Sequence, residues 1–267
     1  MSTTAQRLEK LSAGFTRDIT SLSKEALMGE LEAEGLLLFR FKDLEEVAAH
    51  LGFLGTYHVR EGSADPFYLI APSENGSSER TVSQRGGKAF TTAALDPHSD
   101  YPALAWPPEV NVLLCQESAS IGGASIFVDG KVIFQRLAQD YPAHLSILMQ
   151  RGSVLNRYDN NVTEVPLFEW VTGSRLRIRA RFDEFAFFNA PALEAVATVR
   201  SLLKEVALSC TLDSGEGYLM KNSQWLHGRE SFTGSRTFQR LTINAHENLK
   251  HALGSFEPAA QSSNLPR

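Results

Sequence analysis

The chain has 267 residues, 43% of them hydrophobic and 21% charged, with a formal net charge of −5. That length suits one large domain or two small ones, the balance is that of a globular protein, and the acidic excess argues against a nucleic-acid or polyanion partner. Apolar runs fall far short of the roughly 20 residues of a membrane span, and the two cysteines, Cys115 and Cys210, offer neither a disulfide framework nor a thiolate zinc site.

MSTTAQRLEKLSAG lacks the apolar core of a secretory signal, so a cytoplasmic protein is expected. SLSKEALMGELEAEG then opens on serine caps and ends on Gly35, the pattern of a helix with a glycine stop. LLLFRF predicts a short buried strand and DLEEVAAHLGFLG a second capped helix. From about Arg60 to Ala94 the chain turns polar around one apolar run, FYLIA, and reads as a flap-like segment beside a site. VNVLLCQES and ASIFVDG read as strands on either side of a Gly122–Gly123 turn. GKVIFQRLAQDYPAHLSILMQ reads as a helix bent or broken at Pro142. VLNRYD, PLFEWV and RLRIRARF are further strands, and APALEAVATVRSLLKEVAL is an amphipathic helix. GYLMKNSQWLHG and SRTFQRLTINAH are the last strands, and the tail from about 255 to 267 is expected to fray. Strands scattered among helices, with no repeat and no linker, predict a single domain over 1–267. It should be α+β and mainly β, a double-sheet fold buttressed by helices.

The stretch LDPHSDYPALAWPPEV carries His98 and Asp100 two apart. On a strand they share one face, with Ser99 turned away, and begin a metal site. The best third ligand is His227 in QWLHGRESF, at an apolar strand end where a turn at Gly228 would aim it into a cavity. Two imidazoles and a carboxylate leave coordination positions open, which suits non-haem Fe(II) with a co-substrate and oxygen. Zinc accepts the same donors, so ligand type alone does not choose. The competing reading makes Asp100 a turn residue and His98 a surface histidine. Arg229, Arg236 and Arg240 follow His227, and Arg236 and Arg240 share a strand face. A buried guanidinium that forks onto a carboxylate is what a 2-oxo acid would require and a hydrolytic zinc site would not; its alternative is an arginine paired with a core acid. In RLRIRARF, Arg175, Arg177, Arg179 and Arg181 alternate with Leu176, Ile178, Ala180 and Phe182, which reads as a solvated sheet face.

LHGRESFTGSR closely resembles the C-terminal motif of γ-butyrobetaine dioxygenases, and HSDYP…PPEVNVLLCQES…GGASIFVDG resembles their H-x-D segment and following strands. More broadly, from about Leu27 to Gly254 and with interruptions, the chain resembles the taurine dioxygenase superfamily of Fe(II)- and 2-oxoglutarate-dependent oxygenases. The resemblance implies a double-stranded β-helix, or jelly roll, with His98, Asp100 and His227 as iron ligands. It implies Arg236 on the far carboxylate of 2-oxoglutarate, and Ser125 where the taurine enzymes use a threonine hydroxyl. It further implies Fe(II), 2-oxoglutarate and O2 as reactants, with hydroxylation of an unactivated C–H bond and release of succinate and CO2. Desaturation, cyclisation or C–C cleavage with the same cofactors is the alternative outcome, and a zinc-dependent hydrolase on the same triad is a second class. Asp100 stands where related halogenases have a small residue, which argues against halogenation.

Two departures limit the transfer. The cysteines and histidines of the animal butyrobetaine enzymes' N-terminal zinc module are absent. Arg240 is foreign to the butyrobetaine motif but matches the arginine with which taurine enzymes hold the anionic end of their substrate. Arg240, Tyr101, Trp106 and Arg181, the last in RARFDEF, are therefore expected to meet a small polar, anionic or amino-acid-like substrate. A small-molecule substrate is the expected partner, with no nucleic acid and no membrane. The family's dimers and tetramers make a homo-oligomer compatible with the resemblance, although no seam is legible.

Overall fold

The computed structural model describes residues 9, 11–59, 64–72, 87–158 and 161–258. Helix α1 (Lys24–Glu34) starts where the Ser23 hydroxyl accepts the Ala26 N–H, and it ends at Gly35, whose φ of 71° is the left-handed conformation of a helix stop. Strand β1 (Leu36–Arg40) follows directly, then α2 (Leu44–Leu51), capped by the Asp43 carboxylate on the Glu46 N–H. Next come β2 (Gly55–Tyr57), β3 (Tyr68–Ile70), β4 (Leu95–His98), β5 (Val110–Glu117), β6 (Ile121–Gly122) and β7 (Ser125–Asp129). The break at Pro142 is real: α3 (Gly130–Asp140) stops and α4 (Pro142–Leu148) starts on the proline, whose missing N–H is harmless in a first turn. Then follow β8 (Val154–Tyr158), β9 (Asn161–Val165), β10 (Phe168–Thr172), β11 (Arg175–Ile178), β12 (Ala186–Phe188) and α5 (Ala192–Val206). The last elements are β13 (Leu208–Cys210), β14 (Glu216–Lys221), β15 (Trp225–Arg229), β16 (Phe232–Thr233), β17 (Thr237–Ala245) and α6 (Glu247–Leu253).

The larger antiparallel sheet runs β1-β14-β5-β17-β2, with β3 also on β17; a smaller one runs β13-β7-β15-β4. Period-two alternation decides what each side chain faces. Leu36, Leu38, Leu113, Tyr218, Met220 and Phe238 of the larger sheet join Phe127, Leu208 and Trp225 of the smaller one in one apolar cluster. Their chain neighbours Leu37, Phe39, Val112, Leu114, Leu219 and Leu241 pack the other way, against Leu27 and Leu31 of α1 and Val47 and Leu51 of α2. Behind the smaller sheet, Val128 and Leu226 meet Phe134 of α3, Leu145 of α4 and Val199 of α5. The order of layers is helix, sheet, sheet, helix. Each fully buried Leu or Phe in them contributes about 1.5–3 kcal/mol.

Several segments differ from the sequence expectation. Within the flap-like stretch, residues 68–70 are strand β3, registered against Phe238–Arg240 of β17; residues 60–63 and 73–86 lie outside the described residues. The tail does not fray from 255: Ser255 and Phe256 are fully buried, and Phe256 exchanges backbone hydrogen bonds with Leu176. Residues 259–267 lie outside the described residues. GYLMKNSQWLHG makes two strands, β14 and β15, split at Asn222–Gln224. In RLRIRARF the strand stops at Ile178, and the solvated arginine face is not there. Arg179 is buried and donates to the carbonyls of Leu104 and Ala105 at 3.2 and 3.0 Å, while Arg175 and Arg177 pair with Glu257 and Glu169. Among the described residues, no helix is long and apolar enough to cross a membrane.

Candidate active site

Strands β4 and β15 pair with His98 opposite His227, so the imidazoles stand side by side with ring centroids 4.8 Å apart. Gly228 is a strand position and not the expected turn. Its part is close approach, since a Cβ there would lie 2.4 Å from the Leu95 carbonyl oxygen. Asp100 lies just beyond β4, in a bend and not on the strand face. The bend is held by Asn222, which accepts the Asp100 N–H at 2.8 Å and donates to the Asp100 carbonyl at 2.9 Å. The carboxylate still reaches both rings, with Oδ1 3.7 Å from His98 Nε2 and Oδ2 3.7 Å from His227 Nε2. One ligand atom from each of His98, Asp100 and His227 lies within 4.8 Å of the others, and all three residues are buried.

Electrostatics prepare these atoms for a cation. His98 Nδ1 is 3.0 Å from the Asp96 carbonyl, which can only accept, so the ring proton sits on Nδ1 and Nε2 offers its lone pair. Burial, then His227 and Arg181, pushes the His98 pKa down to about 3, so the ring stays neutral. Burial raises the Asp100 carboxyl, but Arg240 and the imidazoles outweigh it and hold it well below the usual carboxylate range. Asp100 Oδ1 accepts Arg240 Nη1 at 2.9 Å, while the buried Oδ2 has no protein partner. Two imidazole lone pairs and an orphaned carboxylate oxygen on one side are a donor set that fits Fe(II).

Two cavities meet at this triad. One, of about 440 Å³, is lined by Ser125, Tyr218, His227, Arg236 and Arg240. Arg236, just before β17, and Arg240, on it, line the same cavity, although the ladder shifts register between Thr237 and Phe238. Arg236 is buried, its Nε donates to the Gly123 carbonyl at 3.2 Å, and its guanidinium lies 3.8 Å from the centre of the Phe238 ring. Its terminal nitrogens make no hydrogen bond among the described residues. Burial lowers its pKa below the ordinary guanidinium value. Gly123, at φ 75°, makes room for it: a Cβ there would stand 3.2 Å from Arg236 Cδ. Ser125 is buried beside it at the start of β7.

The other cavity, of about 610 Å³, shares His98, Asp100 and Arg240 and adds Tyr101, Asn156, Arg181 and Phe185. Tyr101 is the only described non-glycine residue with a positive φ, 54°, a conformation rare for an aromatic residue. Its hydroxyl accepts Arg240 Nη2 at 3.1 Å, and the Tyr101 and Tyr68 rings each lie 5.1 Å from that guanidinium. Arg240 is thus committed to Asp100 and Tyr101, and only its Nε is unpartnered. Arg181 lines the cavity too, but its Nε donates to both Asp183 carboxylate oxygens at 2.7 and 2.9 Å. Trp106 is not brought to the triad cavities. It is 79% exposed, beside Arg177, in a third groove with Pro107 and Pro108 that touches Asp100 but not the histidines.

The family model described as taurine catabolism dioxygenase TauD, TfdA family matches residues 8–242. The chain belongs to the TauD, TfdA family. It is 27% identical over 186 residues to the human γ-butyrobetaine dioxygenase, covering 59% of this chain and 45% of that enzyme. It is 28% identical over 171 residues to rat mitochondrial trimethyllysine dioxygenase, covering 57% and 40%. The chain thus spans less than half the length of these relatives. Its fold is shared with the asparagine oxygenase structure holding Fe(II), 2S,3S-3-hydroxyasparagine and succinate. That match has a TM-score of 0.66 at 15% identity, over 81% of this chain and 77% of the other. It is shared also with the oxygenase OrfP bound to Fe and α-ketoglutaric acid, at a TM-score of 0.63 and 12% identity, over 93% and 88%.

In this TauD, TfdA family member the sequence reading missed the residues behind the ligands. Tyr218 Oη lies 2.9 Å from His227 Nδ1, and Asn222 holds the Asp100 bend. Tyr218 alternates with Met220 on the inner face of β14, a signal open to any strand reading, but only the pairing of sheets shows that it meets His227. Asn222 acts on a residue 122 positions away, which no local pattern carries.

Proposed function

We propose that the protein is a 2-oxoglutarate-dependent non-haem iron dioxygenase that hydroxylates a small, amino-acid-like metabolite on a double-stranded β-helix scaffold. One observation carries this reading: the buried His98–Asp100–His227 cluster shares a cavity with Arg236, whose terminal nitrogens are unmet. Family membership and the Fe- and succinate-bound fold neighbours support it. His98 Nε2, Asp100 Oδ2 and His227 Nε2 would hold Fe(II). Arg236 would fork onto the far carboxylate of 2-oxoglutarate, with the Ser125 hydroxyl beside it. Bound there, Fe(II) with 2-oxoglutarate and O2 supplies decarboxylation of the keto acid to succinate and CO2, with one oxygen atom delivered to a substrate C–H bond. The chain positions the reactants: Arg240 and Tyr101 fix the Asp100 carboxylate, and Phe238 and Phe232 keep water from the back of Arg236.

Under argon, adding Fe(II) and 2-oxoglutarate should give the visible charge-transfer absorption of a keto-acid chelate. In air, succinate release should depend on a small acidic or amino-acid substrate and be restored after EDTA by Fe(II) but not Zn(II). Arg236→Ala should raise the KM for 2-oxoglutarate at least about tenfold, since a charge-assisted hydrogen bond contributes about 1.5–3 kcal/mol. No absorption band, together with rescue by zinc, would sink the oxygenase reading. Stimulation only by neutral, bulky hydrophobic compounds would remove the substrate class.

A further inference from the structure

Asn156 is a buried side chain of the larger cavity that the proposed chemistry does not use and the protein does not satisfy. It sits in the middle of β8, between Ala186 of β12 and Thr163 of β9, so its backbone belongs to the ladder. On the pleat it shares its face with Val154, a fully buried member of the apolar core. The position is one where a leucine would be expected. Instead a side chain of 0% exposure carries an amide whose Nδ2 and Oδ1 both lack a protein partner. Buried amides are paired in folded proteins, and an orphan of this kind calls for an occupant. The residue lines the cavity that contains His98 and Asp100, so the occupant shares space with the triad.

The chemistry of that occupant follows from what is unmet. An asparagine amide donates through Nδ2 and accepts through Oδ1, so its complement offers an acceptor and a donor side by side. Of the charged groups around it, Arg240 is matched by Asp100 and Arg181 by Asp183, and Arg157, next along β8, is exposed, which leaves no unmatched buried charge for a strongly ionic ligand. We propose that Asn156 is a specificity-determining residue that reads a substrate group bearing an N–H donor beside a carbonyl or carboxylate acceptor, the head of an α-amino acid or a primary carboxamide. A quaternary ammonium has no N–H and leaves Oδ1 unmet. The site therefore selects against a quaternary-ammonium head such as that of γ-butyrobetaine, the substrate named in one of the chain's relatives. The inference rests on the reading that this cavity takes the substrate.

Calorimetric titration under argon tests it, on the full chain with Fe(II) and 2-oxoglutarate. The probes are the free amino acids, their N-trimethylated counterparts, and succinamic acid as a carboxamide without an α-amine. At least one free amino acid or the carboxamide should bind, the trimethylated forms should not, and which arm binds tells the two heads apart. Asn156→Leu, of similar volume, should weaken that binding about tenfold or more while changing the 2-oxoglutarate affinity less than twofold. Its unliganded melting temperature should be equal or higher, because an unpaired amide has gone. Asn156→Ser, smaller and still polar, should lose affinity in the same direction if the leucine variant does not fold. Unchanged amino-acid affinity in the variants, binding of trimethylated forms only, or no binding of any probe overturns the inference. A destabilised leucine variant that binds as wild type does so as well, by making the amide a structural group. Failure of 2-oxoglutarate itself to bind the wild type is a separate result and strikes the oxygenase reading.

Discussion

Behind each imidazole of the triad stands an oxygen within hydrogen-bond reach of its Nδ1. The Asp96 carbonyl, which only accepts, fixes the tautomer of His98; Tyr218 Oη, which can accept or donate, faces His227. For His227 Nε2 to offer a lone pair, Nδ1 must carry the proton and donate it to Tyr218, whose own ionisation is suppressed by burial and by Asp100. Tyr218→Phe keeps the buried ring but removes that acceptor; metal affinity measured by chelator competition should fall about 10–100-fold. Protonation makes a second prediction. Unfolded, His98 titrates near its ordinary value of 6.5; folded, near about 3. Between those values the unfolded chain holds a proton that the native state lacks, so stability rises with pH across the window. Asp100, held low, adds stability that is present above the ordinary carboxylate range and lost as pH falls below it. The melting temperature of the metal-free protein should therefore drop as pH is lowered from about 6.5 to about 3, and His98→Gln should flatten the slope.

At the scale of elements, what could be read early was whatever announces itself locally. The Ser23 cap and Gly35 stop bound α1, Pro142 separates α3 from α4, and the spacing of Arg236 and Arg240 at the start of β17 brings both into one cavity. Of the elements that went unread, β2, β3, β12 and β13 are three residues each, too short to show a period, and partner strands make them strands; β9 and α6, of five and seven residues, also went unread. The bend at Asp100 is the instructive case. HSD has the spacing of a shared strand face, and the two side chains do converge, but by a turn that Asn222 pins from the β14–β15 connection. Asn222 also donates to the Pro108 carbonyl and accepts from Asn111 at 3.1 Å, all out of water. Asn222→Ala should lower stability by about 1–3 kcal/mol in denaturant titration, because buried backbone groups lose their partner. It should weaken metal binding as well, which separates it from a loss of stability elsewhere.

Over the whole molecule, helices cover the outer faces of two sheets, and the segment just after α6 closes against the back of the smaller one. Phe256 is fully buried among the residues behind the smaller sheet, and its backbone pairs with Leu176. Phe256→Ala should cost about 3–5 kcal/mol, a cavity penalty visible as a lower melting temperature with unchanged metal affinity. The serine, proline and glutamine that follow Gly254 hid this anchor, because composition registers average polarity and not one buried ring. Arg240 remains the residue whose place matters most widely. It borders both chambers, with one nitrogen on Asp100 and another on Tyr101. A guest in either chamber thus presses on a guanidinium that also forms a wall of its neighbour. Whatever factor one occupant imposes on the affinity of the other, the second imposes on the first.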